Sequence, residues 1–146
     1  MMKVNKIDHI CIAVKNLEEA RKIWEPILGK SIPDDTYVDD SEKIRVARYW
    51  LGEVGFELME STTPDGEVAK FIEKRGEGLM VLSLHVDHTE EAMKELKAKG
   101  YHFIGGPRSF RNSKFAFIHP KQVNGVLLEL IDYPWDEFKK KTERSD

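Results

Sequence analysis

Two segments of this chain repeat at a fixed distance. Asp8-His9-Ile10-Cys11-Ile12-Ala13-Val14 reads as a short strand, and a shift of 72 positions (81 − 9) carries it onto Met80-Val81-Leu82-Ser83-Leu84-His85-Val86. The same shift (129 − 57) carries Glu57, in Phe56-Glu57-Leu58-Met59, onto Glu129, in Leu128-Glu129-Leu130-Ile131. Matched segments at one offset imply a duplicated unit, which restricts the fold to two copies of one small motif. A length of 146 residues leaves room for one compact domain, or for two modules sharing a core.

Each copy follows the same plan. After the first strand, Asn16 is an N-cap. Leu17, Ala20, Ile23, Trp24, Ile27 and Leu28 then recur at helical spacing. Pro26 loosens the last turn and Gly29 stops the helix. The acidic stretch 33–43 reads as a surface loop. Strands follow at about 44–51 and 54–60, joined by a turn at Gly52-Glu53. Thr63-Pro64-Asp65 reads as the start of a connecting helix over about 64–75, with Val68, Phe71 and Ile72 apolar and Lys74-Arg75-Gly76 ending it.

The second copy has a strand at 80–86, Thr89 as N-cap, a helix to about Lys99 and a stop at Gly100. Tyr101-His102-Phe103-Ile104 is a short extended piece, and 105–112 is a loop carrying Arg108 and Arg111. Strands at about 114–118 and 125–132 close the copy, and the tail from Glu137 reads as solvated or frayed. The result is α+β, with helices on one side of mostly antiparallel strands. One domain over 1–146 holds module 1 (about 6–62) and module 2 (about 78–133).

Composition narrows the function classes. A net charge of −3 gives no electrostatic case for nucleic acid, and no basic amphipathic helix argues for a membrane surface. No apolar run approaches the roughly 18 residues of a membrane span, and Met1 to Lys6 lack a signal-peptide core. A single cysteine, Cys11, excludes an internal disulfide framework and suits a reducing cytoplasm; its ordinary role is a small buried side chain.

Strand parity places the chemistry. Residues two apart share a face. His9 shares its face with the small Cys11 and Ala13, away from Ile10, Ile12 and Val14. Glu57 is opposite in parity to Phe56 and Leu58, and Glu129 to Leu128 and Leu130. If the bulky faces pack on helices, His9, Glu57 and Glu129 face the other side of the sheet. One imidazole and two carboxylates suit a divalent ion such as Mn²⁺, Co²⁺, Ni²⁺ or Zn²⁺. They serve equally as proton donors and acceptors, and a His or Glu on a half-exposed strand is also an ordinary solvated side chain.

Three stretches carry a family likeness. They are Ile7 to Val14; Ala69-Lys70-Phe71-Ile72-Glu73-Lys74-Arg75-Gly76-Glu77-Gly78-Leu79; and Phe117-Ile118-His119-Pro120-Lys121 followed by Gly125 to Leu130. Through them, over about residues 6–132, the chain resembles the vicinal oxygen chelate superfamily of glyoxalase I, extradiol dioxygenases and bleomycin-resistance proteins. Within it the likeness is to the methylmalonyl-CoA epimerases. The resemblance implies two tandem β-α-β-β-β modules forming a curved mixed sheet around a concave site.

It also implies a four-ligand metal site, in which His9, Glu57 and Glu129 match the first, second and fourth ligands. The third falls at Val81, which cannot bind a metal. His85 shares parity with Val81, but four residues along a strand span about 13 Å, too far to take its place. His88, His102 and His119 read as structural or solvated. The resemblance further implies two catalytic carboxylates. One is Glu129. The other falls at Ser41, and a slip of one position gives the role to Glu42, which is otherwise a solvated loop residue.

The resemblance therefore implies an isomerase or lyase of the epimerase or glyoxalase type, moving a proton alpha to a carbonyl with an altered metal site. A divalent metal (Co, Mn, Ni or Zn), a small-molecule substrate such as an acyl-CoA and a homodimer belong to that expectation. Lys70, Lys74, Arg75 and Lys121 either meet coenzyme A phosphates or form a solvated face. Arg48, Tyr49 and Trp50 lie on a strand bordering the cavity if their face is the open one. The alternative is a metal-free small-molecule binding protein of the bleomycin-resistance type.

Overall fold

The computed structural model describes residues 1–135, so the tail from Glu137 lies outside the described residues. Along the chain run β1 (Val4–Ala13), α1 (Leu17–Leu28), β2 (Asp35–Asp39), β3 (Ile44–Leu51), β4 (Val54–Ser61), α2 (Glu67–Arg75), β5 (Gly78–Val86), α3 (Thr89–Ala98), β6 (Arg108–Phe110), β7 (Ser113–Ile118) and β8 (Leu127–Asp132). The fold is α+β, as the sequence pattern predicts. The chain forms two compact units. One is Ile10–Met80; the other, split in sequence, joins Met1–His9 to the segment from Val81 onward. β1 lends its end to the first and its start to the second.

In the Ile10–Met80 unit the strand order is β2-β3-β4-β1, with β2/β3 and β3/β4 antiparallel. The β3/β4 register sets Ala47 opposite Leu58 and Tyr49 opposite Phe56. These four pack with Val14, Leu17 and Ala20 into one core, with Ile10, Ile12, Trp24 and Leu28 at its margin. Each large apolar side chain buried there contributes about 1.5–3 kcal/mol. The bulky side of β1 thus meets α1, and strand alternation sends Cys11 and Ala13 the other way.

Asn16 caps α1 by accepting the Glu19 N–H at 3.0 Å, and Gly29 ends it in the left-handed region at φ 69°. Ile23 and Ile27 depart from expectation. They fit the helical period, yet they are 62% and 67% exposed, because the contact side of α1 ends at Trp24 and Leu28.

Two other expectations are corrected in this unit. The acidic stretch read as a loop contains β2, whose residues pair with β3 from Asp35↔Arg48 to Asp39↔Ile44; ladder pairing outweighs the low strand propensity of Asp. Helix α2 starts later than Thr63. Its N-cap is Gly66, packed so closely that an added Cβ would lie 2.0 Å from Ser61 Oγ.

In the split unit the order is β1-β5-β8-β7-β6. β5 and β8 run parallel, and β8/β7 and β7/β6 antiparallel. The expected loop at 105–112 therefore contains a short strand, β6. Val86, Ala92 and Leu130 form the core, with Met2, Leu84, Leu96 and Phe103 against it. Thr89 is not the cap of α3, because His88 holds that position. Thr89 is buried instead, its N–H on Asp132 Oδ2 (2.7 Å) and its hydroxyl on the Lys114 carbonyl (3.0 Å). No helix of the described residues is long and apolar enough to cross a membrane.

Candidate functional site

The split unit brings two of the expected residues together. His9 is buried on β1 and Glu129 on β8, and His9 Nε2 lies 3.2 Å from Glu129 Oε1. Behind the imidazole, Asp8 Oδ2 sits 2.7 Å from Nδ1. A carboxylate accepts, so this contact places a hydrogen on Nδ1 and turns Nε2 toward Glu129. Asp8 also accepts the Tyr133 hydroxyl and lies 3.5 Å from Lys6 Nζ. Burial alone would raise the Asp8 pKa, but the contacts with His9, Tyr133 and Lys6 reverse this and hold it well below the usual carboxylate range.

Glu129 accepts a second contact. Ser83, fully buried and its parallel-ladder partner, donates its hydroxyl to Glu129 Oε1 at 2.6 Å. Val81, where the resemblance wants a ligand, is 4% exposed and pairs with Leu127. His85 has both nitrogens engaged, Nδ1 with the Asn5 amide (3.0 Å) and Nε2 with the Tyr133 carbonyl (3.2 Å), and its ring stands edge-on to Tyr133.

The Ile10–Met80 unit holds Glu57, which is 1% exposed. Its Oε2 lies 2.5 Å from Arg48 Nε, and its Oε1 accepts the Tyr37 hydroxyl at 3.0 Å. Cys11 Sγ points at the same Oε1 from 3.6 Å. The Arg48 guanidinium carbon stands 5.2 Å from the Tyr37 ring centre and 5.3 Å from that of Trp50. Arg48 and Trp50 thus lie on the Glu57 side of β3. Tyr49 takes the helix side, where its hydroxyl donates to Glu25 at 2.6 Å.

Glu42 is half-buried in the turn after β2. Its N–H reaches Asp39 Oδ1 at 3.3 Å, and the Ser41 hydroxyl reaches the same oxygen at 2.7 Å.

The internal repeat extends to these contacts. Cys11 and Ser83 are 72 positions apart (83 − 11), as are Glu57 and Glu129, and each carboxylate takes its contact from the matching partner of its own copy. Asp8, Ser83, Tyr133 and Tyr37 join the site without being among the residues expected from the sequence. Ser83 was visible in the repeat offset, and Asp8 in its place beside His9. Nothing in the sequence pointed to the pairings of Tyr37 or Tyr133.

Residues 8–117 match the Glyoxalase/Bleomycin resistance protein/Dioxygenase superfamily, and the chain belongs to it. Its relatives include Uncharacterized protein YqjC of Bacillus subtilis (strain 168), 35% identical over 94% of this chain and 99% of that one. Among solved structures it is similar to methylmalonyl-CoA epimerase from Mycobacterium tuberculosis, with a TM-score of 0.82, 30% identity and 89% of each chain covered. A Streptomyces coelicolor methylmalonyl-CoA epimerase variant, solved in complex with 2-nitronate-propionyl-CoA, gives 0.84, 26% identity and coverage of 90% and 99%.

The donor types suit a divalent ion to different degrees. His9 fits, because a carboxylate anchoring the far nitrogen is the usual support of a metal-binding imidazole. Glu129 fits through lone pairs beyond those Ser83 uses. Glu57 fits by type, but a guanidinium already lies on one of its oxygens.

Proposed function

We propose that this protein is an isomerase of the methylmalonyl-CoA epimerase type, moving a proton alpha to the carbonyl of an acyl thioester. The observation that carries this reading is the Asp8–His9–Glu129 arrangement. It sets a buried carboxylate beside an oriented imidazole, where it can serve as the base for a weakly acidic proton. Glu129 takes the proton from the alpha carbon, and Glu42 is the candidate for the second carboxylate, which returns a proton. His9, Glu57 and Glu129 are the residues that would hold a divalent ion such as Co²⁺, Mn²⁺, Ni²⁺ or Zn²⁺. When bound, such an ion supplies positive charge for a developing enolate oxygen. Ser83 keeps the Glu129 carboxylate in one orientation.

The epimerase relatives support an acyl-CoA as substrate. A homodimer and a cytoplasmic location belong to the same proposal. A metal-free binding protein of the bleomycin-resistance type is the second reading, favoured by Val81 in a ligand position and by the guanidinium on Glu57.

Deuterium uptake at the alpha carbon of methylmalonyl-CoA in D₂O, followed by NMR with and without added Co²⁺, tests the proposal. Exchange by the native protein, slowed at least about a hundredfold in Glu129→Gln, is the expected result. No exchange under either condition, or equal rates in both proteins, overturns it.

A further inference from the structure

We infer that Arg48 competes with a divalent cation for the Glu57 carboxylate and so keeps this chain's affinity for such an ion low. The inference rests on the proposed ligand role of Glu57. Its basis lies wholly within the Ile10–Met80 unit. Arg48 and Glu57 face each other across the β3/β4 ladder. Both project from the side opposite Ala47, Tyr49, Phe56 and Leu58, which pack against α1. Glu57 is 1% exposed, so its charge is poorly hydrated and must be met by protein groups.

Arg48 meets it through Nε at 2.5 Å. The guanidinium carbon lies within cation–π range of both the Tyr37 and Trp50 rings, contacts that suit its flat, weakly hydrated charge. The Tyr37 hydroxyl takes the other carboxylate oxygen. The result is a carboxylate already neutralised by a monovalent cation of fixed position.

A divalent ion at Glu57 would meet this cation at close range, where like charges repel in a poorly screened setting. It would bind only by displacing Arg48 or by tolerating it, and either route lowers affinity. At Glu57, a built-in cation thus supplies charge that a metal would bring.

Titration calorimetry with Co²⁺ tests this on the full-length protein, using Arg48→Met, Arg48→Gln and Arg48→Lys. Arg48→Gln keeps an N–H donor for Glu57 and guards against misfolding of the Met variant. Far-UV circular dichroism of each variant checks that it folds. Both neutral variants are expected to bind Co²⁺ at least about tenfold more tightly than the native protein, and adding Glu57→Gln should remove the gain. Arg48→Lys, which keeps the charge, should stay near native affinity.

No gain in folded Arg48→Gln overturns the inference, as does an equal gain in Arg48→Lys. The exchange assay separates this inference from the functional proposal. A gain in affinity without alpha-proton exchange supports the competition and refutes the isomerase. Exchange without a gain refutes the competition alone.

Discussion

Asp8 joins the fold to the candidate chemistry, and Asp8→Asn should show it. The side chains of Asp8 and Lys6 are 5% and 7% exposed, with Oδ1 and Nζ 3.5 Å apart. At an effective dielectric of about 20, that separation gives a gross attraction of about 5 kcal/mol. Desolvation of both groups offsets much of it. Asparagine keeps the size, but its single oxygen can accept from only one of His9, which meets Oδ2, and Tyr133, which meets Oδ1, and it removes the charge that Lys6 faces. Breaking one side of a buried pair in this way costs about 3–5 kcal/mol. Lys6 retains its position 5.9 Å from the Tyr133 and Trp135 ring centres, which places the expected loss near the lower end.

Urea unfolding at pH 7 of the native protein, Asp8→Asn, Lys6→Met and the double variant measures the coupling. The double variant should be more stable than Asp8→Asn alone, because it no longer buries one charge facing a neutral amide. The sign with pH is also fixed. The folded-state pKa of Asp8 is depressed, so its stabilisation is present above the ordinary carboxylate range and is lost as pH falls toward the folded value. Asp8→Asn should flatten the acid limb of the stability curve below about pH 4. A loss under about 1 kcal/mol, or a double variant whose cost equals the sum of the singles, refutes the reasoning.

Two further changes test local structure. Asn16→Ala removes the acceptor for the Glu19 N–H and should cost about 1 kcal/mol in urea unfolding, while Asn16→Asp should be close to neutral. Gly66→Ala sets a methyl group 2.0 Å from Ser61 Oγ. It should lower stability by about 1–3 kcal/mol, and Ser61→Ala in the same chain should recover part of that, read by thermal melting.

Much of the site was legible because strand parity is a local rule. The alternation in Ile10-Cys11-Ile12 and in Phe56-Glu57-Leu58 fixes which side chains share a face before any contact is known. The placement of Ile10, Ile12, Phe56 and Leu58 against α1 follows that rule. The turn region 33–43 was less legible. Asp34, Asp35, Asp39 and Asp40 look like loop residues, and β2 exists because β3 offers it a ladder. Helix starts were misplaced at Thr63 and Thr89 for a similar reason: each looks like a cap locally, and Thr89 is claimed instead by Asp132 and Lys114.

The sequence by itself determined the 72-residue offset, the residue pairs it relates, and a valine at position 81, where the resemblance implies a ligand. These are properties of order and spacing along the chain. Only the tertiary structure decided what each carboxylate touches. Glu57 and Glu129 hold matching places in the repeat, yet one accepts from a guanidinium and the other faces an imidazole. Partners on neighbouring strands are far apart in sequence. Which of them reaches a buried charge depends on how the strands pair and where long side chains come to rest.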